Sequence, residues 1–248
     1  MRFNIYKESR VSLYLLSLIL SAVLLFYFVA SMFTSMGYKK SRTSNLQTFT
    51  VQQYPIIIID AGHGGEDPGA VANEQIEKEL NLEISLILKH LFESCGYEVV
   101  LTRDDDKLLY FEGEQNKKKY HDLRNRVQVA NNYNNSVFVS IHMNKYSAEY
   151  CKGLQTFYTT RNPQSIILAE RIQENVRFLQ ADNKRTIKDS KDTIYILQNI
   201  KSPSVLIECG FLSNIEEANL LKDTKYKASL SLSIYSGITE YTENLYEN

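Results

Sequence analysis

The sequence predicts an α/β fold, with one mostly parallel or mixed sheet covered by helices on both faces. Three observations carry this. Short apolar runs rich in Ile and Val read as buried strands, apolar stripes spaced by threes and fours read as helices, and the two alternate along the chain. The 248 residues suffice for one sizeable domain, and 44% hydrophobic with 23% charged content is ordinary for a globular protein. A formal net charge of -1 gives no electrostatic ground for nucleic acid as a partner.

The first element is a membrane segment. Val11 to Phe33 contains 23 residues without a charged side chain. At about 1.5 Å per residue a helix of that length crosses a bilayer core of roughly 30 Å. A cleaved signal normally has an apolar region of about 7–15 residues, so length favours an uncleaved anchor; "VAS" at Val29 to Ser31 is a weak cleavage signal. Arg2, Lys7 and Arg10 precede the segment and Lys39, Lys40 and Arg42 follow it, so charge does not set its orientation. Residues 1–36 are therefore expected to be an anchor or signal segment. Residues 37–54, polar and rich in Ser, Thr and Gln, read as a tether. Residues 55–248 read as a single domain without internal repeats.

Within that domain, Ile56 to Ile59 is a continuous apolar run, the mark of a strand covered on both faces. Leu80, Ile84, Ile87, Leu88, Leu91 and Phe92 form a helical stripe, and Gly96 sits where a helix stops. Tyr97 to Leu101 is a strand, Asp122 to Asn132 a helix and Val137 to Ile141 a buried strand. Leu154 to Tyr158 follows as a strand and Ser165 to Leu179 as a helix. Ile194 to Leu197 and Val205 to Ile207 are expected as strands, and two helices near Ile215 to Leu221 and Tyr226 to Tyr241 close the chain. Cys95, Cys151 and Cys209 have no C-x-x-C spacing and are expected as free, mostly buried thiols, with one bridge and one free thiol as the alternative.

Functional groups of such sheets collect beyond the carboxyl ends of strands. "DAGHGG" places His63 just after the first strand, "VFVSIHMN" places His142 directly after another, and "SVLIECGF" places Glu208 after a third. Two of the four histidines thus occupy strand ends, whereas His90 and His121 read as solvated surface residues. Open catalytic zinc sites commonly use two imidazoles and a carboxylate. Glu77, just ahead of the amphipathic helix, is the candidate third donor. Spacing alone leaves a second reading open, in which Glu77 or Glu79 only caps that helix. Gly62, Gly64 and Gly65 allow a sharp turn that presents His63. The loop matches neither phosphate-binding glycine motif, no G-x-S-x-G elbow exists, and H-E-x-x-H is absent.

Taken in order, "IIIIDAGHGGEDPGA", "EKELNL", "LTRDDD", "SIHMN" and "IECGFLSN" resemble the zinc-dependent N-acetylmuramoyl-L-alanine amidases of the amidase-3 type. The resemblance covers about Pro55 to Tyr241, and compact length with a hydrophobic N-terminus is most like a sporulation member. It implies a twisted six-stranded sheet, one zinc ion held by His63, Glu77 and His142, and Glu208 as catalytic acid. Asp60 and Asn144 are expected as groups that orient the ligands. It implies hydrolysis of the amide between the lactyl group of N-acetylmuramic acid and L-alanine of peptidoglycan, in formation of muramic-δ-lactam in the spore cortex. The site of action is then extracytoplasmic, in the spore envelope space. Ala61 replaces a common Pro, and Met143 a common small residue. Neither a blocking helix nor a wall-binding repeat is evident, so positioning falls to the membrane segment or an activating partner protein. The alternative function is a non-catalytic peptidoglycan-binding protein on the same fold. Retention of all four residues argues against it, and metal analysis separates the two.

Overall fold

A computed structural model of the chain describes residues 19–28, 31 and 54–244. Contacts divide the chain after Gln53. Before that point residues 19–28 form helix α1 with exposed side chains. The rest of the expected anchor, residues 11–33, lies outside the described residues apart from residue 31, which is helical. Among the described residues no helix is long and apolar enough to cross a membrane.

The second unit is built on a six-stranded sheet. Its strands are β1 (Ile56–Ala61), β4 (Val99–Leu101), β5 (Ser136–Asn144), β6 (Gln155–Tyr158), β7 (Lys188–Asp189) and β8 (Ser204–Phe211), in the order β4-β1-β5-β8-β6-β7. All neighbours pair parallel except β6 and β8, which pair antiparallel. A two-stranded hairpin, β2 (Val71–Ala72) with β3 (Gln75–Ile76), lies apart from the sheet. Asn73 and Glu74 both have positive φ, 48° and 61°, as a tight two-residue hairpin turn demands. The helices are α2 (Glu77–Ser94), α3 (Lys118–Asn131), α4 (Gln164–Val176), α5 (Tyr195–Asn199), α6 (Ile215–Lys222) and α7 (Thr224–Asn244).

The period-two geometry of strands sorts side chains onto two unequal faces. Ile57, Ile59, Val137, Val139, Ile141, Val205 and Ile207 point into the larger core. There they meet the stripe Leu80, Ile84, Leu88 and Phe92 of α2, Leu168 and Ile172 of α4, and Leu230, Ile234 and Ile238 of α7. Ile58 and Phe138 point the other way, into a thinner core with Val127 and Ala130 of α3 and Ile196 of α5. Helices cover both faces, as expected, and the thinner face also carries the polar row residues Asp60, Ser140, His142 and Glu208.

Helix ends follow local chemistry. Gly96 has φ 84°, its N–H bonds the Glu93 carbonyl, and the Tyr97 N–H bonds the Phe92 carbonyl. The Tyr97 ring packs on Phe92 at 5.3 Å, completing a left-handed stop with its apolar clasp. Asn214 caps α6 by accepting from the Glu217 N–H at 3.0 Å.

One expected strand is a helix. Ile194 to Leu197 falls in α5 and its cap, because a four-residue apolar run fits either a buried strand or a buried helical turn. The sixth strand is instead the polar pair Lys188–Asp189. The cysteines are free, but only Cys209 is buried, and Cys95 is exposed beyond the apolar stripe of α2.

Candidate metal centre

β1 ends in a loop whose carbonyls turn inward, and two buried arginines bind them. Arg126 Nη1 donates to the Ala61 carbonyl at 2.7 Å and Nη2 to that of His63 at 2.8 Å. Arg103 donates to the Ala61 and Gly62 carbonyls at 2.8 and 3.0 Å, and Asn81 Nδ2 also donates to Gly62 at 3.0 Å. Held this way, His63 adopts φ 62°, a left-handed conformation uncommon for a residue with a side chain. Gly62 does not use positive φ, contrary to the role expected of it. A Cβ there would lie 2.3 Å from the His142 ring, so its bare backbone makes space for the second imidazole.

Glu77 is the first residue of α2, and its carboxylate does not cap the helix. Ile76 stands at the cap position without a side-chain bond. Glu77 Oε1 instead lies 3.2 Å from His63 Nε2 and 2.9 Å from His142 Nδ1, and accepts the Met143 N–H at 3.1 Å. Its Oε2 accepts the Ala70 N–H at 2.6 Å. The helix N-terminus favours this anion. Burial alone raises the carboxyl pKa, but the bonds and charges of His142 and His63 outweigh it and hold it well below the usual carboxylate range.

The donor atoms of His63, Glu77 and His142 lie within 4.8 Å of one another and could hold a metal ion. Their chemistry fits one. Burial lowers the affinity of His63 for a proton, yet Glu77 and Asp67 outweigh it and draw positive charge to this spot. Two imidazoles and one carboxylate are a donor set that suits zinc.

Asp67, not foreseen from the sequence, completes the surroundings. Its Oδ2 lies 3.0 Å from His63 Nδ1 and 3.0 Å from Lys119 Nζ. Burial raises the Asp67 carboxyl, but His63 and Lys119 outweigh it and hold it down to about 2. A signal existed, since Asp67 follows His63 by four residues in an acid-bearing loop, but spacing alone does not distinguish it from Glu66.

β5 and β8 bring His142 and Glu208 into register as direct neighbours, so both side chains leave the thinner face. One extra residue in β8 beyond this pair shifts the pairing to Asn144 and Phe211, a bulge of the kind that re-aims side chains at sites. Glu208 Oε2 is sealed from solvent and meets no hydrogen-bond donor among the described residues. Burial pushes its carboxyl up to about 7, with the Glu77 charge adding and His142 and His63 opposing.

Asp60 and Asn144 stand differently. The Asp60 carboxylate is fully buried and accepts from Thr102 (2.6 Å), Ser140 (2.6 Å) and Arg126 (2.7 Å). It reaches His63 only through Arg126. Asn144 ends β5, and its backbone carbonyl accepts the Leu212 N–H at 2.8 Å. His90 is exposed, and His121 lies on α3 with Nδ1 3.2 Å from Glu114.

The Amidase_3 family, described as N-acetylmuramoyl-L-alanine amidase, matches residues 57–240. A germination-specific N-acetylmuramoyl-L-alanine amidase of Bacillus subtilis (strain 168) is 37% identical over 188 residues, 75% of this chain and 79% of that protein. A sporulation-specific N-acetylmuramoyl-L-alanine amidase of the same organism is 31% identical over 192 residues, 74% of this chain and 67% of that protein. The structure of the CwlD amidase from Clostridioides difficile, solved in complex with the GerS lipoprotein, superposes with a TM-score of 0.73 at 42% identity. That match covers 77% of this chain and 99% of CwlD. On this fold, this match and this site, the chain belongs to the amidase-3 family of N-acetylmuramoyl-L-alanine amidases.

Proposed function

We propose that the protein is a zinc-dependent amidase that cleaves the amide joining the lactyl group of N-acetylmuramic acid to L-alanine in peptidoglycan. One observation carries this: two imidazoles and a carboxylate from the loop after β1, from β5 and from α2 converge beside a buried Glu208 whose Oε2 has no hydrogen-bond donor among the described residues. His63, Glu77 and His142 would hold one zinc ion. Bound there, zinc supplies Lewis acidity that lowers the pKa of water and polarises a carbonyl oxygen.

Glu208 takes a proton from the attacking water and returns it to the departing amine of L-alanine. A carboxyl pushed up to about 7 suits both transfers near neutral pH. Asp67 accepts from His63 Nδ1, which leaves Nε2 facing Glu77 and fixes the tautomer. Arg126 and Asp60 keep the loop carbonyls turned away from the donors.

The deciding experiment digests peptidoglycan with the full chain at neutral pH and identifies fragments by mass spectrometry. Fragments with an intact lactyl group and a free L-alanine amine are expected, and a chelator should stop their release until zinc is restored. Full zinc occupancy without peptide release would sink the proposal. Gly69 offers a second test. Its φ is 66°, and a Cβ there would lie 2.4 Å from Glu77 Oε2 and 2.7 Å from His63 Cδ2. Gly69→Ala should therefore weaken zinc binding by roughly 10–100-fold, the loss typical of disturbed ligand support, measured by competition with a chromophoric chelator.

We place this activity outside the cytoplasmic membrane, in spore cortex formation with muramic-δ-lactam as the product it leads to. The kinship with germination- and sporulation-specific amidases supports this. The arrangement of anchor (1–36), tether (37–54) and catalytic domain (55–248) would hold the enzyme at that membrane. The GerS lipoprotein bound to CwlD supports an activating or positioning partner protein here as well.

A further inference from the structure

The row that holds His142 and Glu208 continues one strand further. Gln155, the first residue of β6, pairs directly with Glu208, so all three side chains leave the thinner face. Neighbouring strands lie about 4.8 Å apart, so Gln155 stands roughly 10 Å from His142 across the row. About three residues of extended peptide span that distance.

Gln155 holds a cation in place. Its Oε1 accepts from Arg185 Nη1 at 3.2 Å, and its Nε2 donates to the Thr186 carbonyl at 2.9 Å. Arg185 Nε donates to the Lys152 carbonyl at 2.7 Å, and the guanidinium stacks 4.4 Å above the Phe211 ring. Backbone, amide and ring thus fix the guanidinium before any ligand arrives. Among the described residues no carboxylate lies within ion-pair distance of it. The nearby Glu217 carboxylate is occupied by the Gly153 and Phe211 N–H groups, at 2.9 and 2.8 Å.

Arg185 also lines a cavity of about 690 Å³, whose walls carry Lys152 and Lys184 as well as the carboxylates Asp182, Glu216 and Glu217. A fixed guanidinium that makes no ion pair among the described residues and feels the Glu217 charge only from a distance, facing an open cavity, is suited to bidentate pairing with a further carboxylate. Resting on the amidase reading above, we propose that Arg185, held by Gln155 and Phe211, is a specificity residue. It binds a carboxylate of the stem peptide two or three residues beyond the hydrolysed amide.

The test uses the full chain with zinc and muramoyl-peptides of one to four residues, each carboxyl group either free or converted to its carboxamide. For the wild type, one particular carboxylate should raise kcat/KM by roughly ten- to hundredfold over its amide, the range of a hydrogen bond to a charged group. The gain should appear only once the peptide reaches two or three residues. Arg185→Gln should raise KM for the acid by a similar factor, leave kcat within about threefold, and leave the amide substrate unaffected. Arg185→Lys should restore part of the preference. Equal wild-type rates on every acid and amide pair would overturn the proposal, whether or not the variants fold. So would an Arg185→Gln loss that is the same for both substrates, which marks a structural role. Absence of release from every substrate would instead refute the amidase reading itself.

Discussion

Glu208→Gln should lower peptide release by roughly 10²–10⁴-fold, the contribution of a positioned acid–base group, while leaving zinc content unchanged. The amide keeps the volume and one oxygen of the carboxyl, so β8 and the bulge beside His142 have no reason to move. It cannot take up a proton from water, which removes the step assigned to Glu208. The metal donors are on other residues, and Glu208 is not part of their cluster. Elemental analysis of the purified variant, paired with mass analysis of its products, separates the outcomes. Loss of zinc along with activity would make Glu208 a support of the metal site and would remove it from the proton transfers.

Arg126→Met should destabilise the fold by about 3–5 kcal/mol, the usual cost of removing one member of a buried ion pair. Asp60 and Asp122 would both lose the cation they bind at 2.7 and 2.9 Å. The His63 carbonyl would lose its Arg126 donor as well, and the Ala61 carbonyl would keep only Arg103. Chemical denaturation gives the size of the effect, and adding Asp60→Asn should recover part of it by removing an unpaired charge. The same network sets the response to acid. Burial alone raises the Asp60 carboxyl, but Arg126, Ser140 and Thr102 outweigh it and hold it below its ordinary value. A depressed folded pKa adds stability above the unfolded pKa and loses it as pH falls through the folded one. Asp60→Asn should therefore cost stability at neutral pH, and its deficit should shrink as pH drops below about 4. A deficit that stays constant into acid would show that the charge of Asp60 is not what stabilises the network.

Much of this site was legible because strand ends are legible. Ile56 to Ile59 and Val137 to Ile141 announce themselves through β-branched runs, so the histidines after them are conspicuous. Glu77 was legible as a donor only through the family resemblance, since by spacing alone an acid before a helix serves equally well as a cap. Only the three-dimensional path of α2 across the sheet edge decides where its carboxylate points. Arg126 and Arg185 left no such trace. An arginine on a polar helix or in a polar loop reads as solvated, and the positions of these two depend on partners 66 residues away in one case and 30 in the other. The sixth strand failed for a related reason: Lys188–Asp189 carries no apolar signal, and only its pairing with β6 defines it.

The sheet order has a thermal consequence. β1, which leads into the His63 loop, and β5 and β8, which carry His142 and Glu208, are interior strands, whereas β6 has only the two-residue β7 outside it. Amides of interior strands exchange with solvent only when the whole domain opens, while margins open locally. On warming, the Gln155 and Arg185 margin loosens before the centre does. The proposed selectivity among peptides should then erode at temperatures where cleavage still proceeds, which kcat/KM for acid and carboxamide substrates measured across temperature would check.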